Sequence, residues 1–385
     1  MACDKEMTSK KIAAHMPQLD GLRACAVMAV MAYHFLPAWN LNLGAILGVK
    51  LFFVLSGFLI TGILLRSREA AENAGQSAGT TLRQFYIRRI LRIFPLYYFV
   101  IGIALVLNLE PVREILPWLL TYTLNIHMAN QGWFVDKFAH FWSLAIEEQF
   151  YLVWPWLILF APKKLLLPVT IAFILTAPLY RAYEMLIGMH GLASFIFTPS
   201  CLDSLCMGAL VAILTQPAGG QERAKKFLNF FALPAGFMGT LFFIFFQKIL
   251  DPRWGAVFFD LALALFFSWL VFGASAGFKG IFGAALQSKP LTALGKISYG
   301  VYVYHPFMPL FWAFLFNRLG LAYDRSGAVN VVLSLAGTLA VSSLSWFFME
   351  KPLNDLKRYF PYTLFPINSA ARHEMTAVPA AQKLL

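Results

Sequence analysis

Charge is what this chain has least of. Only 13% of its 385 residues are Asp, Glu, Lys or Arg, where a soluble domain carries roughly 25%. With 59% hydrophobic residues and a mean hydropathy of +0.66, no water-soluble fold could hide the apolar surface, so the solvent of this chain is lipid. Acidic residues are scarcer than basic ones, 19 against 31, for a formal net charge of +12. In a soluble chain that balance would raise nucleic acid as a partner. Here the basic residues fall mainly between apolar segments and report membrane orientation, so no nucleic acid is expected. Cysteine is rare as well. Cys3, Cys25, Cys201 and Cys206 form no CxxC pair and no metal-ligand cluster, so all four are read as unpaired and no metal is expected. No internal repeat is evident. No small-residue cleavage site follows the first apolar run, which is therefore expected to remain as an anchor.

What the chain does have is apolar runs of about 20 residues, the length that crosses a bilayer. Ten spans are expected, at roughly 20–38, 46–66, 94–110, 142–161, 165–186, 199–215, 227–247, 256–277, 296–316 and 328–350. With the N-terminus in the cytosol, the inner side receives Lys5, Lys10, Lys11, the run from Arg66 to Arg92, Lys163, Lys164, Arg223, Lys225, Lys226, Lys279, Lys289 and the C-terminal basic residues. The outer side keeps Arg113, Lys137, Arg181, Lys248, Arg253, Arg318 and Arg325. This is the positive-inside pattern, and it places both termini in the cytosol of a multi-pass membrane protein. Residues 114–127 (EILPWLLTYTLNIH) are apolar but short. Counting them as a span would put Lys163 and Lys164 outside, so a re-entrant or interfacial segment is expected there, its backbone covered by protein or water. The expected fold is all-α, a polytopic membrane protein of about ten transmembrane helices with a re-entrant segment after the third. One membrane domain is expected over 20–358, between a cytosolic tail at 1–19 and a disordered cytosolic tail at 359–385.

Charge inside a span costs at least a few kcal/mol, so each such residue is a functional candidate. The first span, LDGLRACAVMAVMAYHF, carries Arg23 and His34 about three turns apart on nearly one face, a rise of roughly 16 Å. Spacing alone leaves open an interfacial arginine with a packed histidine. In the second span, Lys50 is expected to snorkel from near its outer end, and Gly57 and Gly62 to serve helix packing. FYIRRILRIFPLYY presents Arg88, Arg89 and Arg92 on adjacent turns; guanidinium forks suit phosphate oxygens, and equally suit anionic lipid heads as a juxtamembrane anchor. FAHFWSLAIEEQFYLVWP sets His140, Trp142 and Ser143 at the outer entrance and buries Glu147 and Glu148, which point about 100° apart. Asp203 either caps its helix or pairs with a buried cation. His305 and Pro306 lie inside the ninth span, where the proline should kink the helix. Glu350, beside Lys351 in the closing FMEKP, reads most simply as half of an interfacial charge pair.

In this order these segments resemble the acyltransferase 3 family of integral membrane acyltransferases. The matching pieces are LDGLRACAVMAVMAYHF, KLFFVLSGFLIT, FYIRRILRIFP, HFWSLAIEEQFYLVWP, ISYGVYVYHP and FMEKP, and they cover about residues 16–358. The resemblance implies a ten-helix fold in a bacterial inner membrane, with acetyl-CoA or another acyl-CoA as donor from the cytosol. It implies an essential Arg23–His34 pair and a donor-side element at Arg89 and Arg92, and it sets Trp142, Ser143 and Glu350 around the active site. Some members carry an extracytoplasmic hydrolase-like domain, which this sequence is expected to lack. Members often have arginine where Cys201 stands, ahead of Asp203. The expected reaction is transfer of an acyl group to a hydroxyl of a sugar, glycan or lipid-linked saccharide, with Arg88, Arg89 and Arg92 on the donor phosphates and Arg23 assisting. His34 would be general base or acyl-accepting nucleophile, Glu148 or Glu350 would orient it, and Trp142, Ser143 and His140 would line the acceptor's approach. The alternative is a proton-coupled transporter of a small anionic solute, which also needs intramembrane His, Glu and Arg.

Overall fold

A computed structural model describes residues 16–36, 44–188, 191–216, 219–246, 252–325 and 327–362. Residues 1–15 of the expected N-terminal tail, 363–385 of the expected C-terminal tail, and Cys3 and Lys248 lie outside the described residues. Those described form helices and turns, with no strand among them. Seven helices are long and apolar enough to cross a membrane: α2 (Gly44–Asn73), α3 (Ala78–Val106), α7 (Lys163–Leu186), α8 (Thr198–Thr215), α9 (Gly220–Phe246), α10 (Val257–Ala276) and α13 (Ala328–Tyr359). Helices also occupy the other three expected spans: α1 (Pro17–Phe35), α6 (Phe141–Phe160), and the pair α11 (Lys289–Tyr304) and α12 (Met308–Arg318). A 3-10 turn at His305–Phe307 separates that last pair, where Pro306 cannot continue the hydrogen-bond ladder.

The surface inverts that of a soluble protein. Phe99, Leu152, Val153, Leu179, Phe230, Val332 and Phe348 are exposed, which is favourable only in lipid. The buried stripe of α13 is instead Asn330, Ser334, Thr338 and Ser342, spaced by four so that one face turns its polar groups inward. Without a hydrophobic force between helices in lipid, close backbone approach and polar contacts hold the bundle. A Cβ on Gly57 would stand 1.8 Å from the Leu205 carbonyl oxygen, and one on Gly208 2.0 Å from that of Val54. These two glycines, one on each helix, therefore let α2 and α8 touch backbone to backbone. Gly62 meets only the Arg66 side chain of its own helix and makes no such crossing.

Residues 114–127 form neither a span nor a coil. They fold as two short helices, α4 (Leu116–Leu120) and α5 (Leu124–Gln131). The break between them is covered by polar side chains. Tyr97 and Tyr98 donate to the Leu119 and Leu120 carbonyls at 2.8 and 3.0 Å, and Gln149 donates to the Tyr122 carbonyl at 2.8 Å and to Asn125 Oδ1 at 2.9 Å. These contacts answer the need for internal hydrogen-bond partners that a broken helix has in an apolar setting.

Candidate active site

Five helices carry the site. α1 contributes Arg23, whose Nη1 lies 2.8 Å from Asp20 Oδ1. α3 contributes Arg89 and Arg92, α6 contributes Ser143 and Glu147, and α11 contributes Ser298, Tyr299 and Tyr302; with Val49, Phe52, Phe53 and Ser56 of α2 they enclose a cavity of about 180 Å³. Its wall runs from the three arginines to the hydroxyls of Ser143 and Tyr302. Along α2 the lining runs from Val49 to Ile63, a rise of about 21 Å at 1.5 Å per residue, so the cavity is elongated along the helices.

The arginines have different work. Arg89 stands over the Phe85 and Tyr151 rings at 5.6 and 5.2 Å, stacked and in no ion pair among the described residues, and it lines the cavity together with Arg92. Arg88 faces elsewhere. Its Nη1 donates to the Lys357 and Phe360 carbonyls at 2.7 and 3.1 Å, and its guanidinium stacks 4.8 Å from the Tyr362 ring. Helix geometry separates them, because Arg88 and Arg89 project about 100° apart.

At the other end the polar groups converge. Ser143 Oγ and Tyr302 Oη are 2.6 Å apart, and Tyr302 donates to the His140 carbonyl at 2.8 Å. Ser143 Oγ can also donate to that carbonyl, at 3.3 Å, so either hydroxyl can give its proton to the other and leave one proton free to turn to a ligand. Beyond them three imidazoles meet: ring centroids are 4.8 Å apart for His34 and His305, and 5.6 Å for His140 and His305. His34 Nδ1 lies 2.9 Å from the Val30 carbonyl and His305 Nδ1 2.7 Å from that of Tyr302. A carbonyl only accepts, so each Nδ1 carries the proton and each Nε2 presents a lone pair. The Nε2 of His305 and both ring nitrogens of His140 are buried without a partner among the described residues. An orphaned buried polar group costs about 1–3 kcal/mol, which marks this cluster as a place prepared for a hydroxyl or a water. His34 itself is exposed on its remaining side.

The carboxylates distribute as the helix demands. Glu147 lines the cavity and accepts from Ser56 at 2.5 Å, while Tyr151 donates to Ser56 at 2.9 Å. Glu148, one step round α6, lies within electrostatic range of Arg89 and the tyrosines at 97, 98, 122 and 299, with Oε1 buried and without a hydrogen-bond partner among the described residues. Glu350 is buried, accepts from Ser345 at 3.0 Å, and lies against Gly300 on the Arg92 side. It is not the interfacial partner of Lys351. Neither Glu148 nor Glu350 is bonded to His34. Trp142 is buried between the Phe53 and Phe195 rings and is not part of the cavity wall. Tyr302 is the cavity residue that the sequence does not single out, and of the two adjacent glutamates it is Glu147 that lines the wall. The signals were present: a tyrosine one turn before His305, and a glutamate one turn after Ser143.

Beside the site, Lys50 corrects an expectation. It does not snorkel: the residue is 0% exposed, and Nζ lies 2.6 Å from Asp260 Oδ2. Arg181, counted among the outer basic residues, is buried with it, 2.6 Å from Asp203 and 3.5 Å from Asp260. Asp203 thus pairs with a buried cation, and Cys201 Sγ sits 3.6 Å from Lys50 Nζ. Cys25, Cys201 and Cys206 are free thiols, and no cluster of metal-ligating side chains occurs among the described residues.

A family profile described as an acyltransferase domain, that of acyltransferase 3, matches residues 16–347. Among curated proteins the chain is 30% identical over 379 residues to the peptidoglycan O-acetyltransferase OatA of Listeria monocytogenes, covering 90% of this chain and 57% of that one. It is 27% identical to the O-acetyltransferase OatA of Staphylococcus aureus over 88% of this chain and 57% of that one. It is 28% identical to the putative peptidoglycan O-acetyltransferase YrhL of Bacillus subtilis over 88% and 55%. The chain thus spans somewhat more than half the length of the curated relatives it matches. No solved structure matches it.

Proposed function

This chain belongs to the acyltransferase 3 family, and on that premise we propose that it moves an acyl group, acetyl foremost, from cytosolic acyl-CoA to a hydroxyl of a sugar or glycan at or across the membrane. The observation that carries this reading is the cavity joining Arg23, Arg89 and Arg92 to Ser143 and Tyr302, with the histidine cluster behind them. In this reading the chain crosses a bacterial inner membrane ten times with both termini in the cytosol, and α4 and α5 form the re-entrant segment. Arg89 and Arg92, with Arg23, hold the donor phosphates, since guanidiniums pair well with phosphate oxygens. The pantetheine arm lies along the cavity and brings the thioester to Ser143 and Tyr302. The acceptor hydroxyl approaches from the exposed side of His34, toward the His305 and His140 rings, while Trp142 packs behind the site and does not touch it.

His34 Nε2 takes the hydroxyl proton as the acceptor oxygen bonds the acyl carbon. The carbonyl becomes an oxyanion next to the Ser143 and Tyr302 hydroxyls, then collapses with cleavage of the carbon–sulfur bond. The proton held on His34 passes to the departing CoA thiolate. The Val30 carbonyl, through Nδ1, keeps His34 in the tautomer this requires. Glu148 and Glu350 then act on the surroundings of Arg89 and Arg92 and not on the imidazole itself. An acyl-histidine route uses the same lone pair. The transporter alternative draws no support from relatives named for O-acetyl transfer. The test is thiol release from acetyl-CoA by purified protein with glycan acceptors. Wild-type protein is expected to release CoA and acetylate the acceptor, and His34→Ala to do neither while keeping the wild-type melting temperature. Full activity in His34→Ala would overturn the assignment.

A further inference from the structure

Past the last long span the chain turns back onto the arginine side of the cavity. The segment 351–362 is held against α3 by main-chain contacts: Arg88 bonds the Lys357 and Phe360 carbonyls and stacks on Tyr362, and Gln76 Nε2 donates to the Tyr362 carbonyl at 2.9 Å. This fold-back brings the Lys357 ammonium into the electrostatic reach of Arg92, Arg89 and Arg88. Like charges gathered this way repel; Glu147, Glu148 and Glu350 lie within electrostatic range of the arginines but make no ion pair with them. Lys357 Nζ bonds the neutral Asn354 side chain, and among the described residues no carboxylate forms an ion pair with Arg89, Arg92 or Lys357. An ammonium has three donors, so two remain free. Arg89 and Arg92 belong to the cavity wall and Lys357 does not. Lys357 thus stands outside that wall, on the strap that Arg88 of the same arginine run holds through the Lys357 carbonyl.

We propose that Lys357 is a further donor-binding residue, which takes the phosphate lying farthest from the thioester and so favours nucleotide donors that carry a 3′-phosphate on the ribose; the inference rests on the acyl-CoA reading above. The geometry separates two phosphate groups by chemistry. Paired guanidiniums on the wall suit the bridging diphosphate, and a compact ammonium beyond the wall suits a terminal phosphate monoester. Arg88 acts through the strap: it holds the backbone that carries Lys357, and it is a positioning residue.

The experiment is equilibrium binding of CoA and of 3′-dephospho-CoA to the purified full chain, by calorimetry, with no turnover involved. Wild-type protein is expected to bind CoA more tightly than the dephospho form. Lys357→Ala should weaken CoA binding by about tenfold, the scale of one charge-assisted contact, and leave 3′-dephospho-CoA binding unchanged. Lys357→Arg should retain the preference, and Arg88→Ala should lose it. The Arg88 contacts are to main-chain carbonyls, so Lys357→Ala leaves the strap anchored. Equal weakening of both ligands in Lys357→Ala, or an unchanged preference, would overturn the proposal while leaving the donor reading intact. Wild-type protein that binds neither ligand would overturn the donor reading, and this inference with it.

Discussion

Replacing Asp260 by asparagine should be among the most damaging single changes of a single functional group in this chain. Asp260 is one of two acids that balance Lys50 and Arg181 in a buried quartet contributed by α2, α7, α8 and α10. With both acids present the quartet is neutral. Asp260→Asn leaves one uncompensated positive charge, and Lys50, 0% exposed, cannot reach water to relieve it. Breaking a buried pair from one side costs about 3–5 kcal/mol. Spread over the unfolding entropy of a 385-residue chain, that corresponds to a fall in melting temperature of roughly 4–6 °C. Lys50→Met should cost less, because Asp260 keeps Arg181 at 3.5 Å. The double variant Lys50→Met with Asp260→Asn restores neutrality through the surviving Arg181–Asp203 pair and should recover most of the loss. Thermal unfolding of the four proteins in one detergent, followed by tryptophan fluorescence, reads all of this. A single Asp260→Asn variant within about 1 °C of wild type, or a double variant no better than it, would refute the charge-balance argument.

Other outcomes follow from the same structure. Gly208→Val should abolish recovery of folded protein, because its Cβ would stand 2.0 Å from the Val54 carbonyl oxygen, whereas Gly102→Ala, with open space around it, should be tolerated; size-exclusion profiles of the two in detergent decide this. Tyr302→Phe removes the hydroxyl that bonds both Ser143 and the His140 carbonyl. It should lower kcat by about 10²-fold, if that hydroxyl supports the oxyanion, with little change in donor affinity; a KM effect alone would contradict the placement of the thioester. His34→Ala should remove turnover without moving the melting temperature, since the His34 side chain is partly exposed and its one hydrogen bond is to its own helix.

Much of the candidate site was legible in the order of residues. Arg23 and His34 share a helix, so their relation follows from 3.6 residues per turn. The adjacent glutamates had to diverge for the same reason, but periodicity could not say which of them faces the cavity. Arg88 shows that limit most clearly. It sits in the same basic run as Arg89 and Arg92, yet its guanidinium is taken up by carbonyls more than 260 residues away in sequence. Local spacing has no access to such a contact. Lys50 was misjudged likewise: a lysine near a helix end snorkels unless a carboxylate from another helix meets it, and Asp260 does.

The sequence by itself determined the solvent, the all-helical class, the helix positions and the chemistry available on each, because these depend on composition and on the 3.6-residue period within single segments. Tertiary structure alone decided which charges neutralise one another, which arginines remain free for an anion, and which hydroxyls meet beside the histidines. Those outcomes depend on distances between helices far apart in the chain, set by close backbone approaches such as Gly57 with Gly208, and no local pattern encodes them.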